Sequence, residues 1–193
     1  MDIRQKLFQY RSYTPIPFLI LMVYFAQPTQ QSFLIGFLFV VLGEFLRLWA
    51  VALAGSETRT TGPVGGTYLV TTGPFAYVRN PLYLGNMLIY AGVGVISNAL
   101  FPWLTIAALV YFFLQYSFIA KLEEEHLAAA YGEEFHRYCS SVRRFLPRLT
   151  PYAGGMSAQP GLDWGEGLQS ERRTLQAIGI IVIVLGVRWW MWS

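Results

Sequence analysis

The chain alternates long apolar runs with short polar ones. The apolar runs cover roughly residues 13–26, 33–54, 82–97, 101–120 and 174–191. A membrane-crossing helix needs about 20 predominantly apolar residues. Runs 33–54 and 101–120 meet that length, and 13–26 falls short of it, so a re-entrant segment is the alternative there. Pro15 and Pro17 stand at its start, where a helix tolerates them. The pattern predicts an all-α fold, a polytopic membrane bundle of about five transmembrane helices. Gln27–Ser32 and Asn98–Leu100 are uncharged turns, and the second closes a tight hairpin between 82–97 and 101–120. From Lys121 the fourth helix turns polar and runs on into water. Leu127, Tyr131, Phe135, Tyr138 and Val142 then recur at helical spacing, an amphipathic stripe expected to pack on the membrane surface or the spans. Gly132 falls inside that stripe, where a kink or break is expected.

Composition agrees with a membrane protein. Of 193 residues, 54% are hydrophobic and 13% charged, whereas soluble domains carry about 25% charged residues. A single cysteine, Cys139, excludes an intrachain disulfide and a stapled secreted fold. No cleavable signal peptide is evident. The net charge of +3 is spread between the apolar runs. It reads as a set of topology signals and not as a nucleic-acid surface. Basic residues precede the first run, separate the second and third, and lie between the fourth and fifth. By the positive-inside rule the N-terminus, the Gly73–Pro81 loop and the Glu123–Arg148 segment face the cytoplasm, in a bacterial inner membrane or an endoplasmic reticulum. Arg143, Arg144 and Arg148 beside Phe145 and Leu146 suggest an anchor at anionic headgroups. Residues 1–150 form the expected core, 151–173 an irregular Gly/Pro-rich linker, and 174–193 an additional helix. In that helix Arg188 can snorkel, and Trp189, Trp190 and Trp192 make an interfacial belt.

Chemistry gathers at a few points. Glu44 and Arg47 sit three residues apart within an apolar run, so they can pair on one helix face. Intramembrane charges of this kind either lock helices together or line a site. The stretch Gly73-Pro-Phe-Ala-Tyr77-Val78-Arg79-Asn80-Pro81-Leu-Tyr83-Leu-Gly85 reads as a loop that opens a helix. Asn80 suits the N-cap and Pro81 the first helical position. The loop before it, Gly55–Thr72, carries Thr58, Arg59, Thr60, Thr61, Gly62, Gly65 and Gly66, and either wraps a ligand or only connects. It holds no GxxxxGK[ST] phosphate loop.

Candidate site residues on the cytoplasmic face are Arg79, Asn80, Tyr83, Glu123, Glu124, His126, Tyr131, His136, Arg137, Tyr138, Arg143 and Arg144. Zinc is a poor reading, because His126 and His136 lack HExxH-type spacing, and no metal is expected. A serine hydrolase is equally poor, without a GxSxG elbow. Glu123 and Glu124 are adjacent on a helix, so one is expected to point at a ligand while the other is solvated.

Two of these stretches and one further helix resemble the isoprenylcysteine carboxyl methyltransferase family. Residues Gly73–Gly85 are similar to its signature GPYxxVRHPxYxG. Glu123-Glu124, Leu127, Tyr131-Gly132, Phe135, Tyr138 and Val142–Pro147 follow its second signature, and Gly43–Ala50 its GxxLRxWA helix. The resemblance spans about residues 35–148 and implies membrane-embedded methyl transfer from S-adenosylmethionine. It implies cofactor contacts at Tyr77, Val78, Asn80, Tyr83, Glu123 and Glu124. Asn80 replaces the family's usual His, and an amide is not a titrating base.

A sulfonium donor and a carboxylate acceptor cancel charge in the transition state, which a water-poor site favours. Arg79 is the residue expected to hold an anionic acceptor, and Glu124 the base that an amine acceptor would need. The expected partners are membrane lipids and a lipophilic or prenylated substrate, with no nucleic acid. Membrane sterol reductases, which bind NADPH, carry a similar loop and supply an alternative, as does a non-catalytic membrane scaffold.

Overall fold

A computed structural model describes residues 3–55, 69–155 and 159–192. Thr58 to Gly66, candidates for wrapping a ligand, lie outside the described residues, as does the side chain of Trp192. Among the described residues the regular structure is helical throughout. The α-helices are α1 (Ile3–Tyr10), α2 (Pro15–Tyr24), α3 (Gln30–Ala54), α4 (Pro81–Ser97), α5 (Trp103–Ser141) and α6 (Trp164–Trp192). A 3-10 turn, Gly73–Ala76, precedes α4.

Three helices, α3, α5 and α6, are long and apolar enough to cross a membrane, which makes this an integral membrane protein. The other two expected spans are shorter. Helix α2 has 10 residues and α4 has 17. At 1.5 Å per residue these are about 15 Å and about 25 Å long, against a hydrocarbon core of about 30 Å. Pro15 opens α2 in its first turn, where its missing N–H costs nothing, and a polar turn follows Phe25.

Helix α3 starts earlier than its apolar run because Thr29 and Ser32 form a reciprocal capping box, with each hydroxyl accepting the other residue's backbone N–H. Its tightest packing is with α4. A Cβ on Gly43 would lie 2.6 Å from the Gly85 carbonyl oxygen, and one on Gly92 would lie 2.6 Å from that of Gly36. The glycine pairs therefore let two antiparallel backbones touch, as small residues do in membrane interfaces. The expected hairpin of α4 and α5 is joined differently, through rings. Tyr83 stacks on Tyr116 at 4.6 Å and Tyr90 on Phe112 at 4.1 Å.

The turns sort onto two faces. Gln27 donates its N–H to Ser97, and Asn98 returns its side-chain amide to the Gln27 carbonyl, so the two uncharged turns meet. Arg188 near the end of α6 donates to the Ala26 and Tyr24 carbonyls at the end of α2. The loop before α4 and the polar end of α5 lie together at the other face.

Helix α6 begins at Trp164, inside the stretch 151–173 expected to be irregular. Asp163 caps it, its Oδ1 accepting the Glu166 N–H at 3.0 Å. Helix α6 runs antiparallel along α3, with Gly167 against Ala52, Glu171 against Arg47 and Trp189 stacked on Phe33.

Candidate active site

The polar end of α5 brings the two signature stretches together. Helix α5 continues past its apolar half until Gly132, whose φ of +49° breaks the helical path. That left-handed conformation suits glycine, so the break expected from the sequence has a backbone cause. Beyond it the stripe turns inward. Phe135, Tyr138 and Val142 are buried against Leu69, with Leu127, Tyr131 and Tyr152 packed around them. The stripe thus packs on the loop segments flanking α4.

Hydrogen bonds then pin residues 73–80 to residues 138–152. The Tyr138 hydroxyl donates to Phe75 carbonyl at 2.7 Å. The N–H groups of Arg79 and Asn80 donate to the carbonyls of Arg143 and Arg144, and Arg148 and Tyr152 donate back to Tyr77 and Ala76. The Asn80 side chain does not cap α4. Its amide donates to the Arg144 carbonyl instead, at 3.3 Å. Pro81 does occupy the first turn of α4, as expected.

Glu124 is the electrostatic centre. Arg144 holds it bidentately, Nε to Oε1 at 2.9 Å and Nη2 to Oε2 at 2.6 Å. Arg79 adds a second guanidinium, Nη2 to Oε1 at 3.3 Å. Hydrogen bonding to Glu124 raises the pKa of Arg144 above its ordinary value, against the lowering effect of burial. Glu123 faces elsewhere and accepts the Tyr83 hydroxyl at 2.7 Å. Neither carboxylate is left to solvent, contrary to the expectation for one of them. Arg79, expected to hold an anionic acceptor, here holds Glu124, while its buried Nε has no hydrogen-bond partner.

Of the sequence candidates, Arg79, Asn80, Tyr83, Glu123, Glu124 and Arg144 converge. Tyr77 lies on the same loop, partly exposed, and Val78 is buried by packing. Tyr131 and Tyr138 are structural members of the stripe. Arg143 contributes its carbonyl, and its side chain is exposed along with His126, His136 and Arg137. Among the described residues, no group of three or more His, Cys, Asp or Glu is placed to hold a metal ion.

Sequence reasoning missed Glu171. It is fully buried and forms a bidentate pair with Arg47, at 2.8 and 2.9 Å. Glu44, the expected partner, also pairs with Arg47, its Oε2 3.7 Å from the Arg47 Nε. A lone glutamate ahead of an apolar run gives no spacing signal toward a residue so far back in the chain.

The family described as phospholipid methyltransferase matches residues 31–134, more than half of the chain and the whole span from α3 to the first polar turns of α5. The chain belongs to the phospholipid methyltransferase family. Among its relatives is the protein-S-isoprenylcysteine O-methyltransferase of Schizosaccharomyces pombe, 29% identical over 61% of this chain and 55% of that protein. The family resemblance carried by the two signatures therefore holds.

Two further relatives have names that describe metal resistance. One is the cobalt-zinc-cadmium resistance protein CzcN of Cupriavidus metallidurans, 34% identical over 62% of this chain and 51% of its own length. The other is the nickel-cobalt-cadmium resistance protein NccN of Alcaligenes xylosoxydans xylosoxydans, 32% identical over 60% and 50%. The chain spans about half the length of the curated relatives it matches. No solved structure matches it. The matched region leaves α1, α2 and α6 outside it.

Proposed function

We propose that the protein is an S-adenosylmethionine-dependent methyltransferase acting on a lipophilic acceptor, at a site framed by the 73–80 loop, the start of α4 and the polar end of α5. The observation that carries this reading is the convergence on Glu124. Arg79 reaches it from the first signature and Arg144 from the second, within 3.3 Å and 2.9 Å respectively.

The residues present fit the cofactor's chemistry. The buried Nε of Arg79 is a charged donor still available to a carboxylate. Glu123, held by Tyr83, is an acceptor suited to a cation or to hydroxyl groups. Tyr83 and Tyr116 present a stacked aromatic face beside it. When bound, S-adenosylmethionine supplies an electrophilic methyl group on a sulfonium. The chain's own contribution is alignment and exclusion of water, a proximity effect. Its ion-paired loop closes over the end of α5, and its apolar helices admit a lipid-borne acceptor from the side.

Glu124 is turned to two guanidiniums, which engage both of its oxygens, and not toward an acceptor. That favours an acceptor that needs no deprotonation, such as a carboxylate, over a lipid amine. We place the site and the N-terminus on the cytoplasmic face, following the basic residues.

Isothermal titration of purified protein with S-adenosylhomocysteine and with NADPH tests the reading. Saturable binding of the first alone supports it. Binding of NADPH alone would establish the reductase alternative, and binding of neither would leave a scaffold.

A further inference from the structure

Arg47 joins three helices. It projects from α3, and its Nη2 holds both oxygens of Glu171 on α6 at 2.8 and 2.9 Å. Its Nη1 donates to the Asn86 side chain on α4. Its stem lies on Gly85, where a Cβ would come 2.6 Å from the Arg47 Cγ. Arg47 is 8% exposed and Glu171 0% exposed.

Asn86 sits one turn along α4 from Tyr83, and residues three apart share a helix face. Tyr83 is the residue that bonds Glu123 and stacks on Tyr116. A short, contiguous path therefore leads from α6, which lies outside the matched residues 31–134, to the rim of the candidate site.

We propose that Glu171 is a positioning residue: by clamping Arg47 against Asn86 it sets the first turns of α4, and with them Tyr83, at the rim of the site. Packing alone does not account for an ion pair here. Well-packed apolar residues of similar size hold buried helices together as well as a buried pair does, or better. An ion pair shared with a third side chain adds register, because the guanidinium's planar donors fix where Glu171 and Asn86 stand. Helix α6 is in this view part of the working enzyme and not an appended anchor. Only the part of the test that measures cofactor affinity rests on the methyltransferase reading.

The experiment uses full-length protein in detergent, labelled with 3-fluorotyrosine, with the Tyr83 fluorine resonance assigned by its loss in Tyr83→Phe. Three forms are compared with wild type: Glu171→Gln, Glu171→Asp, and the apolar pair Glu171→Leu with Arg47→Met. Thermal melts establish that each is folded. A positioning role shifts or broadens the Tyr83 resonance in Glu171→Gln and in the apolar pair, and Glu171→Asp restores part of it. S-adenosylhomocysteine affinity falls about tenfold in the same two forms, the scale of one charge-assisted hydrogen bond. Should Glu171→Gln fail to fold, the apolar pair is made with Glu44→Gln, so that no carboxylate loses its partner, and that form decides. A Tyr83 resonance that coincides with wild type in every folded variant overturns the inference. If wild type binds no S-adenosylhomocysteine, the methyltransferase reading falls and the resonance still decides the role of Glu171.

Discussion

Single residues carry the site through competition for partners. Asn80 shows how. Its position before Pro81 suits a helix cap, yet its amide goes to the Arg144 carbonyl, which arrives from 64 residues away. Local sequence reveals which groups can cap, but not which distant carbonyl will outbid the helix. Glu124 shows the opposite case, since a carboxylate in the second signature and cations in both signatures were all visible as candidates. Their pairing fixes what each can do. Arg79→Ala leaves Glu124 with Arg144, and Glu124→Ala leaves both guanidiniums without their shared carboxylate. Neither change opens a core cavity, so both variants remain helical by circular dichroism. Transfer of a labelled methyl group falls at least about a hundredfold in each, equivalent to about 2.7 kcal/mol of lost transition-state stabilisation. Full turnover in both variants would place the reaction elsewhere.

At the scale of elements, apolar periodicity was enough to find α3, α4 and α5, and Gly132 was enough to predict the break in α5. Two features needed more than periodicity. Glycines and a proline between residues 152 and 170 outweighed the Asp163-Trp-Gly-Glu166 capping pattern, so the start of α6 was hidden. The intimate contact of α3 with α4 depends on glycines seven apart on each helix, at 36 and 43 and at 85 and 92, a spacing with meaning only once the helices are known to be antiparallel neighbours. This contact predicts a sharp asymmetry. In Gly43→Ala the new Cβ meets the Gly85 carbonyl at 2.6 Å, with the backbone of α4 in the way. Overpacking of this kind costs about 1–3 kcal/mol, and it also pushes on the helix that carries Tyr83. In Gly179→Ala the new Cβ meets nothing within 4 Å, and helix propensity favours alanine by about 1 kcal/mol. Denaturation in detergent should lower the stability of the first variant and leave the second equal or improved. Equal behaviour of the two would mean that α3 and α4 are not in backbone contact.

For the whole molecule the question is sidedness, because a single site requires both signatures on one face. Charge bias placed them there from the sequence, and the helices agree in their directions. Helix α3 runs from the Thr29 cap to Gly55, α4 returns from Pro81 to Ser97, and the turns at Gln27 and Asn98 are bonded to each other at the far end. With 25 residues, α3 is about 37 Å long, enough to separate the two ends by a full bilayer. A membrane-impermeant maleimide can therefore read the arrangement in a Cys139→Ser background. Gln31→Cys, exposed at the start of α3, and Arg137→Cys, exposed on the polar end of α5, report the two ends. In sealed vesicles of known orientation, each should label from one side only, and from opposite sides. On the proposed topology, Arg137→Cys labels from the cytoplasmic side. Inverted labelling of the pair would keep the site intact and turn it outward, to be supplied with cofactor from the other compartment. Labelling of both positions from the same side would mean that α3 or α5 does not cross, and the two signatures would then need another way to meet.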